Sequence, residues 1–389
     1  MDPEPFVFEF RTGEVQYGRG RIDGVGDALA DLVSDRALVV CGSNTGANRE
    51  LMDAVEAGLG DRHAGTFDGT TPAKRVETAA AVVERAEETD ADAFVPVGGG
   101  SSLDVATVAS ALRADGRSLD DARTEVRETG GLAVPDAGTT PLVPVPTTLA
   151  GAEMTVVAGA NVEVDGELVS TGVSGAALAP AALVYDPDLY ETTPDGVLAG
   201  SAMNGFDKAV ESLYSRHASV LTDATATRAV RYLRAGLPGM ADDAAAMERA
   251  VAGVVLAQYG VSRPERSTLS VVHAFGHGLR KAFGVQQGLA HAVVVPHVVR
   301  SLVDAGAVRD PLFEAFDADP GDGEAVVAAV EELRDALDLP ARLRDLTGAS
   351  EAKLDAAAAA TADDGVLDNG PAGYELRAAD ARSILDAAW

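Results

Sequence analysis

One feature constrains this chain more than any other, the alternation of short β-rich apolar runs with stretches of helical spacing. RALVVCG is followed by NRELMDAVEAGLG, and DAFVPVGGG by SSLDVATVASALRA, with PLVPVPTT closing the series. Strands interleaved with helices indicate a parallel sheet covered on both faces. After AALVYDPDLY the strand signals stop. From about Pro194 the chain is rich in Ala, Leu, Val, Glu and Arg at helical spacing, with breaks at AGLPGM, SRPERS and DLPARL. The expectation is an α/β domain over residues 1–188 followed by an all-helical domain over residues 189–389. No internal repeat is present, and the Ala-rich KLDAAAAATADD is expected to form a surface helix, Ala being the best helix former.

Composition limits the partners. The 389 residues are 47% hydrophobic, enough for two domain-sized cores. No cationic segment followed by an apolar run opens the chain, and no apolar run approaches the roughly 20 residues that span a bilayer, so a cytoplasmic location is expected. Cys41 is the single cysteine, which excludes an intrachain disulfide framework and a Cys-rich metal site. A formal charge of −30 argues against nucleic acid or an anionic membrane as partner, because both need a basic surface. Lys74, Lys208, Lys281 and Lys353 are the only lysines, and the acidic residues are spread along the whole chain, a pattern similar to proteins of salt-accumulating halophiles.

Four stretches carry chemistry. AFVPVGGGSSLDVAT sets Gly98, Gly99 and Gly100 between a strand and a helix expected to start near Ser101 or Ser102, where backbone amides and the helix dipole favour a phosphate. It is neither G-x-G-x-x-G nor a P-loop, and a tight strand-to-helix turn is the plain alternative. VPTTLAGAEMT adds the hydroxyls of Thr147 and Thr148 directly after a strand, with Gly151 permitting a close approach. SAMNGFDKAVESLY places Asn204 and Lys208 four apart on one helical face, an amide and an ammonium where a metal would want Asp and His. A surface ion pair of Lys208 with Glu211 is the bland reading. Finally, VVHAFGHGLRKAFGVQQGLAHAVVVPH holds four histidines, and His273 and His277 share a helical face without the glutamate of the zincin motif, so packed core histidines remain an open alternative.

In order along the chain, VQYGRGRIDGVGDAL, GGGSSLDVA, PTTLAGAEMT, SAMN…KAVESLY, HAFGHGL…FGVQQGLAHAVVVPH and ADARSILDAAW together resemble the iron-containing alcohol dehydrogenase family, its maleylacetate reductase branch above all. The resemblance implies the dehydroquinate synthase-like fold: an N-terminal α/β dinucleotide-binding domain with a parallel sheet and an all-α C-terminal domain. It implies hydride transfer between a nicotinamide and a small carbonyl or alcohol, in a homodimer. Cofactor contacts are implied for Gly42, Ser43, Asn44, Gly98, Gly99, Gly100, Ser101, Asp104, Thr147 and Thr148. His277 is implied as a proton relay.

The departures from the family pattern matter most. Where metal-dependent members carry their ligands, this chain has Asn204, Lys208, His273 and Gln287. No catalytic metal is therefore expected, since divalent iron or zinc wants several imidazoles or carboxylates. Lys208 is instead the expected catalytic cation, with Asn204, His273, Gln287 and His291 lining the substrate. Thr107 stands where the family's loop helix often has lysine. Gly42, followed by Ser43 and Asn44, replaces the acid with which NAD-preferring relatives often end that strand, so NADP(H) is expected over NAD(H). The neighbouring Arg280 and Lys281 suggest an anionic, carboxylated substrate. The alternatives are a metal-dependent alcohol dehydrogenase using His273, His277 and His291, or a non-catalytic nucleotide-binding relative.

A surface this acidic repels itself in dilute buffer, and molar cation screens that repulsion. The thermal midpoint should accordingly rise between dilute buffer and molar KCl; a midpoint that is flat or falls would remove the halophile reading.

Overall fold

The structure is a computed structural model of the chain, described for residues 6–10, 12–261, 263 and 266–389. Of the expected breaks, SRPERS includes Ser262, Pro264 and Glu265, which lie outside the described residues, as do residues 1–5 of the opening segment. The chain divides into two compact units. One comprises Phe10–Thr148 with Ala152–Thr193; the other comprises residues 194–389 with Leu149–Gly151 and the described residues before Phe10.

The first unit is α/β. Its strands are β1 (Glu14–Tyr17), β2 (Ala37–Gly42), β3 (His63–Thr70), β4 (Ala93–Gly98), β5 (Val145–Pro146), β6 (Val157–Val164), β7 (Glu167–Ser174) and β8 (Ala182–Tyr185). Its helices are α1 (Val25–Asp31), α2 (Ser43–Ala47), α3 (Arg49–Leu59), α4 (Val76–Glu88), α5 (Gly100–Ala114), α6 (Leu119–Thr129) and α7 (Pro187–Tyr190). A four-stranded parallel sheet runs in the order β3-β2-β4-β5, and β1 pairs in parallel with β8. Alternate residues of one strand enter opposite cores. Leu38, Val40 and Phe94 pack with the helices α4 and α5, whereas Ala37, Val39, Cys41, Val95 and Val97 pack with α1 and α3. That two-sided burial is why these strands read as continuous apolar runs.

The antiparallel hairpin β6–β7 was not expected. Its register, Val164↔Glu167, leaves a two-residue turn of Asp165 and Gly166 with φ of 53° and 84°. Asp-Gly in such a turn matches the twist of the flanking strands, so the signal was in VEVDGELV.

The second unit has no strand among the described residues. It contains α8 (Asp195–Tyr214), α9 (Val220–Gly236), α10 (Ala244–Ala257), α11 (Val271–Phe283), α12 (Gln287–Asp304), α13 (Asp310–Ala315), α14 (Gly323–Ala336), α15 (Leu354–Ala362) and α16 (Ala378–Ala387). Helix α8 is its centre. From Leu198 to Tyr214 every residue is buried except Asn204, which is half-buried. A Cβ on Gly288 of α12 would run into the carbonyl of Gly200, so α8 and α12 approach too closely for a side chain there. The Ala-rich stretch does form a helix, but α15 is not simply on the surface. Leu354, Ala357, Ala358 and Thr361 are buried, and Ala357 and Thr361 face Gly278 of α11. Among the described residues no helix is long and apolar enough to cross a membrane.

Candidate active site

A helix that is apolar on every side must take its few polar residues inside with it. On α8 those residues include Ser201, Asn204, Asp207, Lys208, Glu211 and Ser212. Lys208 is only 5% exposed, so the surface ion pair is not what forms. Its Nζ donates to the carbonyl oxygens of Ala150 at 2.9 Å and Gly151 at 2.6 Å. Asn204 Nδ2 donates to the same Ala150 oxygen at 3.1 Å, and Ser201 Oγ accepts from the Leu149 amide at 3.0 Å. Positions 201, 204 and 208 lie on one face of the helix, and they strap Leu149–Gly151 along it. Gly151 has a φ of 65°, where a side chain is strained, and a Cβ there would crowd Gln258 and Val254 at 3.3 Å.

Each of three histidines in this unit stands against its own carboxyl group. His273 Nδ1 lies 2.6 Å from Glu211 Oε2, and the His273 amide donates to Oε1 at 3.1 Å. The Ser270 and Val272 amides also point at Glu211, which thereby caps the start of α11. His277 Nδ1 lies 2.8 Å from Asp364 Oδ2. His291 Nδ1 lies 2.7 Å from Asp207 Oδ2, but at an angle that leaves no hydrogen bond between them. The His273 ring centroid is 4.7 Å from that of His291 and 6.3 Å from that of His277. Only His277, 41% exposed, reaches solvent to any extent.

Burial sets the protonation of this group. It pushes Glu211 up to about 7 in spite of the amide hydrogen bonds, and it raises Asp207 well above the carboxylate range with help from the nearby Glu211 charge. It pushes His291 down to about 3, and it pushes His273 well below the usual imidazole range, with His291 and Lys208 adding to that fall. Burial thus favours the neutral form of both Asp207 and His291. Burial by itself would raise Asp364, yet the hydrogen bonds from His277 and from the Val366 amide hold it below its ordinary value.

The expected substrate-lining residues Asn204, His273 and His291 thus fall in one neighbourhood with Lys208 and His277. Gln287 opens α12, half-buried, near Gly276. Arg280 and Lys281 are exposed in the last turn of α11, where they complement that helix's negative end. Asp207, Glu211 and Asp364 were not singled out as functional. For the first two a signal existed, namely acids on a helix with no polar face. The four positions where the family pattern has metal ligands offer two amides, an amine that donates to two carbonyls, and one imidazole whose Nδ1 is engaged. Among the described residues no three His, Cys, Asp or Glu side chains are grouped to hold a metal ion. That donor set does not fit divalent iron or zinc.

In the α/β unit, Gly42, Gly98 and Thr147 lie at or just beyond the carboxyl ends of adjacent parallel strands, the edge where open α/β sheets bind ligands. Gly98 has a φ of 123°, Gly99 is the extended N-cap of α5, and Gly100 is its first residue, one position before the expected Ser101. The Thr147 amide donates to the Gly98 oxygen at 3.1 Å, and a Cβ on Gly99 would crowd Thr148 at 3.1 Å. Ser101 is half-buried, while Ser43 and Asn44 are exposed on α2. Asp104 is buried and ion-paired with Lys74, and Thr107 Oγ1 turns back to the Leu103 oxygen at 2.9 Å.

Family models for the iron-containing alcohol dehydrogenases match residues 12–187 and, for the C-terminal part, residues 198–389. The chain belongs to the iron-containing alcohol dehydrogenase family, an oxidoreductase family, and lies near its maleylacetate reductase branch. It is 29% identical to maleylacetate reductase 1 of Rhodococcus opacus, over 76% of this chain and 73% of the relative. It is 30% identical to the maleylacetate reductase of Sphingobium indicum, over 76% of this chain and 74% of the relative. The solved maleylacetate reductase of Rhizobium sp. strain MTP-10005 superimposes with a TM-score of 0.79 at 25% identity, covering 99% of this chain and 98% of that one.

Glu211 yields a stability test. With its folded value raised from 4.5 to about 7, the folded state keeps a proton between those pH values that the unfolded chain has lost. This contribution to stability is therefore complete below the unfolded value and is lost as pH rises through the window. In Glu211→Gln the loss is absent. The melting temperature of wild type relative to the variant should fall by about 2 °C or more between pH 4.5 and pH 7 and then level off; a constant difference would show that Glu211 is ionised throughout.

Proposed function

We propose that the protein is an NAD(P)H-dependent reductase of a small carbonyl compound, a short oxo acid, and that it works without a catalytic metal. The observation that carries this reading is Lys208. It stands at a position where the family pattern has a metal ligand, buried, and fixed by the oxygens of Ala150 and Gly151. Hydride addition to a carbonyl builds negative charge on oxygen, and a preorganised cation lowers the barrier most when it needs no rearrangement. A bound reduced nicotinamide would supply the hydride to the carbonyl carbon. Lys208 stabilises the resulting alkoxide, and His277, the most exposed of the three imidazoles, passes in the proton that completes the alcohol. Asn204, His273, Gln287 and His291 surround the oxygen with neutral hydrogen-bonding groups.

The names of the maleylacetate reductases support an anionic oxo acid, and the cations of Lys208, Arg280 and Lys281 in an otherwise acidic chain support it too. Contacts to the dinucleotide are assigned to Gly42, Ser43, Asn44, Gly98, Gly99, Gly100, Ser101, Asp104, Thr147 and Thr148. NADP(H) is preferred on the absence of an acid at Gly42, although Arg49, a further cation near that loop, is already paired with Asp53. The working form is read as a cytoplasmic homodimer, on the pattern of the family.

A turnover assay with a panel of oxo acids and uncharged aldehydes, NADPH and NADH, in molar KCl, tests the reading. Oxo acids and NADPH should give the higher kcat/KM. Lys208→Ala should bind NADPH nearly as wild type does, by fluorescence titration, while kcat falls about 10²-fold or more, the scale of one lost electrostatic donor. A folded Lys208→Ala enzyme that turns over at the wild-type rate would end the role given to Lys208.

A further inference from the structure

Two of the three histidine–carboxyl pairs are deeply buried, and the third opens to solvent. In that third pair His277 Nδ1 meets Asp364 Oδ2 at 2.8 Å, with side-chain exposures of 41% and 18%. Asp364 arrives from a different part of the chain, 87 residues away. It is no loose surface acid, because its Oδ1 accepts the Val366 amide at 3.0 Å and caps the 3-10 turn Gly365–Asn369. That turn is anchored in turn, since Asn369 Nδ2 donates to the Leu269 oxygen and Ser215 Oγ donates to the Asn369 oxygen. The carboxylate is thus held from both sides, by a backbone amide and by an imidazole.

An ionised carboxylate can only accept hydrogen bonds. A neutral His277 facing it must carry its proton on Nδ1, which leaves the lone pair on Nε2. We propose that Asp364 is a positioning residue of the reductase: it locks His277 in the Nδ1–H tautomer, so that Nε2 is the atom that gives the proton to the product oxygen and takes the next one from solvent. This rests on the reductase reading above. The step balances as follows. A bound reduced nicotinamide would supply the hydride to the carbonyl carbon and be oxidised by it, and the oxygen gains its proton from Nε2 of the imidazolium. The neutral Nδ1–H ring that remains is reprotonated on Nε2 by water. Asp364 accepts from Nδ1 throughout and is never itself the donor. His273 and His291 serve this role less well, being buried.

Asp364→Asn tests the idea without removing the cap. The amide oxygen can still accept from Val366, but its NH2 now faces His277 and favours a proton on Nε2, the wrong tautomer for the relay. Asp364→Glu keeps a carboxylate. Histidine-side-chain nitrogen-15 spectra, with His277→Gln to assign the signal, read the tautomer directly and need no turnover. Wild type and Asp364→Glu should show Nδ1–H, and Asp364→Asn should show Nε2–H. The kcat for carbonyl reduction should fall about tenfold or more in Asp364→Asn, with KM for cofactor and substrate changed less than about twofold, and should largely recover in Asp364→Glu. A wild-type ring already in the Nε2–H form, or an Asp364→Asn enzyme with wild-type kcat, overturns the proposal alone. A wild type that reduces no carbonyl compound overturns the reductase reading and the relay with it.

Discussion

The site depends on a cation taken out of water. Moving an ammonium into a protein interior costs several kcal/mol unless it gains well-placed partners. Lys208 meets that demand with two backbone carbonyls, and the demand shapes its surroundings. The segment Leu149–Gly151 must turn its carbonyls toward α8, which requires the left-handed backbone at Gly151 and the further ties from Ser201 and Asn204. Thr147 and Thr148, which the cofactor reading uses, are the residues immediately before that segment. In Lys208→Ala the ties from Ser201 and Asn204 would remain to hold that course.

The imidazoles follow a second rule. Each has a carboxyl group on its Nδ1 side, and for His273 and His277 that carboxyl group orients the ring by a hydrogen bond. Burial raises Asp207 and Glu211 and lowers His291, favouring their neutral forms, so few charges compete with Lys208 in the interior. Such a setting suits a fixed ammonium better than it suits a divalent ion, which would need anionic or imidazole donors converging on one point.

Much of this was legible in the sequence, and the exceptions have physical causes. The strands β2 and β4 and the helices behind them were readable because both faces are buried and the periodicity changes sharply at Gly42 and Gly98. The glycine loop and the Thr147–Thr148 pair could be placed for the same reason. The β6–β7 hairpin is hard to read from sequence because its alternation is interrupted by Gly159 and Gly172, even though Asp165–Gly166 marks its turn. Lys208 could be singled out by type, but not its partners, since backbone carbonyls leave no trace in a sequence. Asp364 meets His277 only through the packing of distant segments, and no local pattern announces that. The Ala-rich α15 was recognised as a helix, while its buried face, set by Gly278 on α11, depends on tertiary contacts.

The most direct test of the central claim is turnover by protein stripped with a strong chelator, verified metal-free by elemental analysis, and assayed in molar KCl with an oxo acid and NADPH. If Lys208 supplies the charge, the stripped enzyme should retain its full kcat, and added iron or zinc should not raise it. Activity lost on stripping and restored by either metal would contradict the claim.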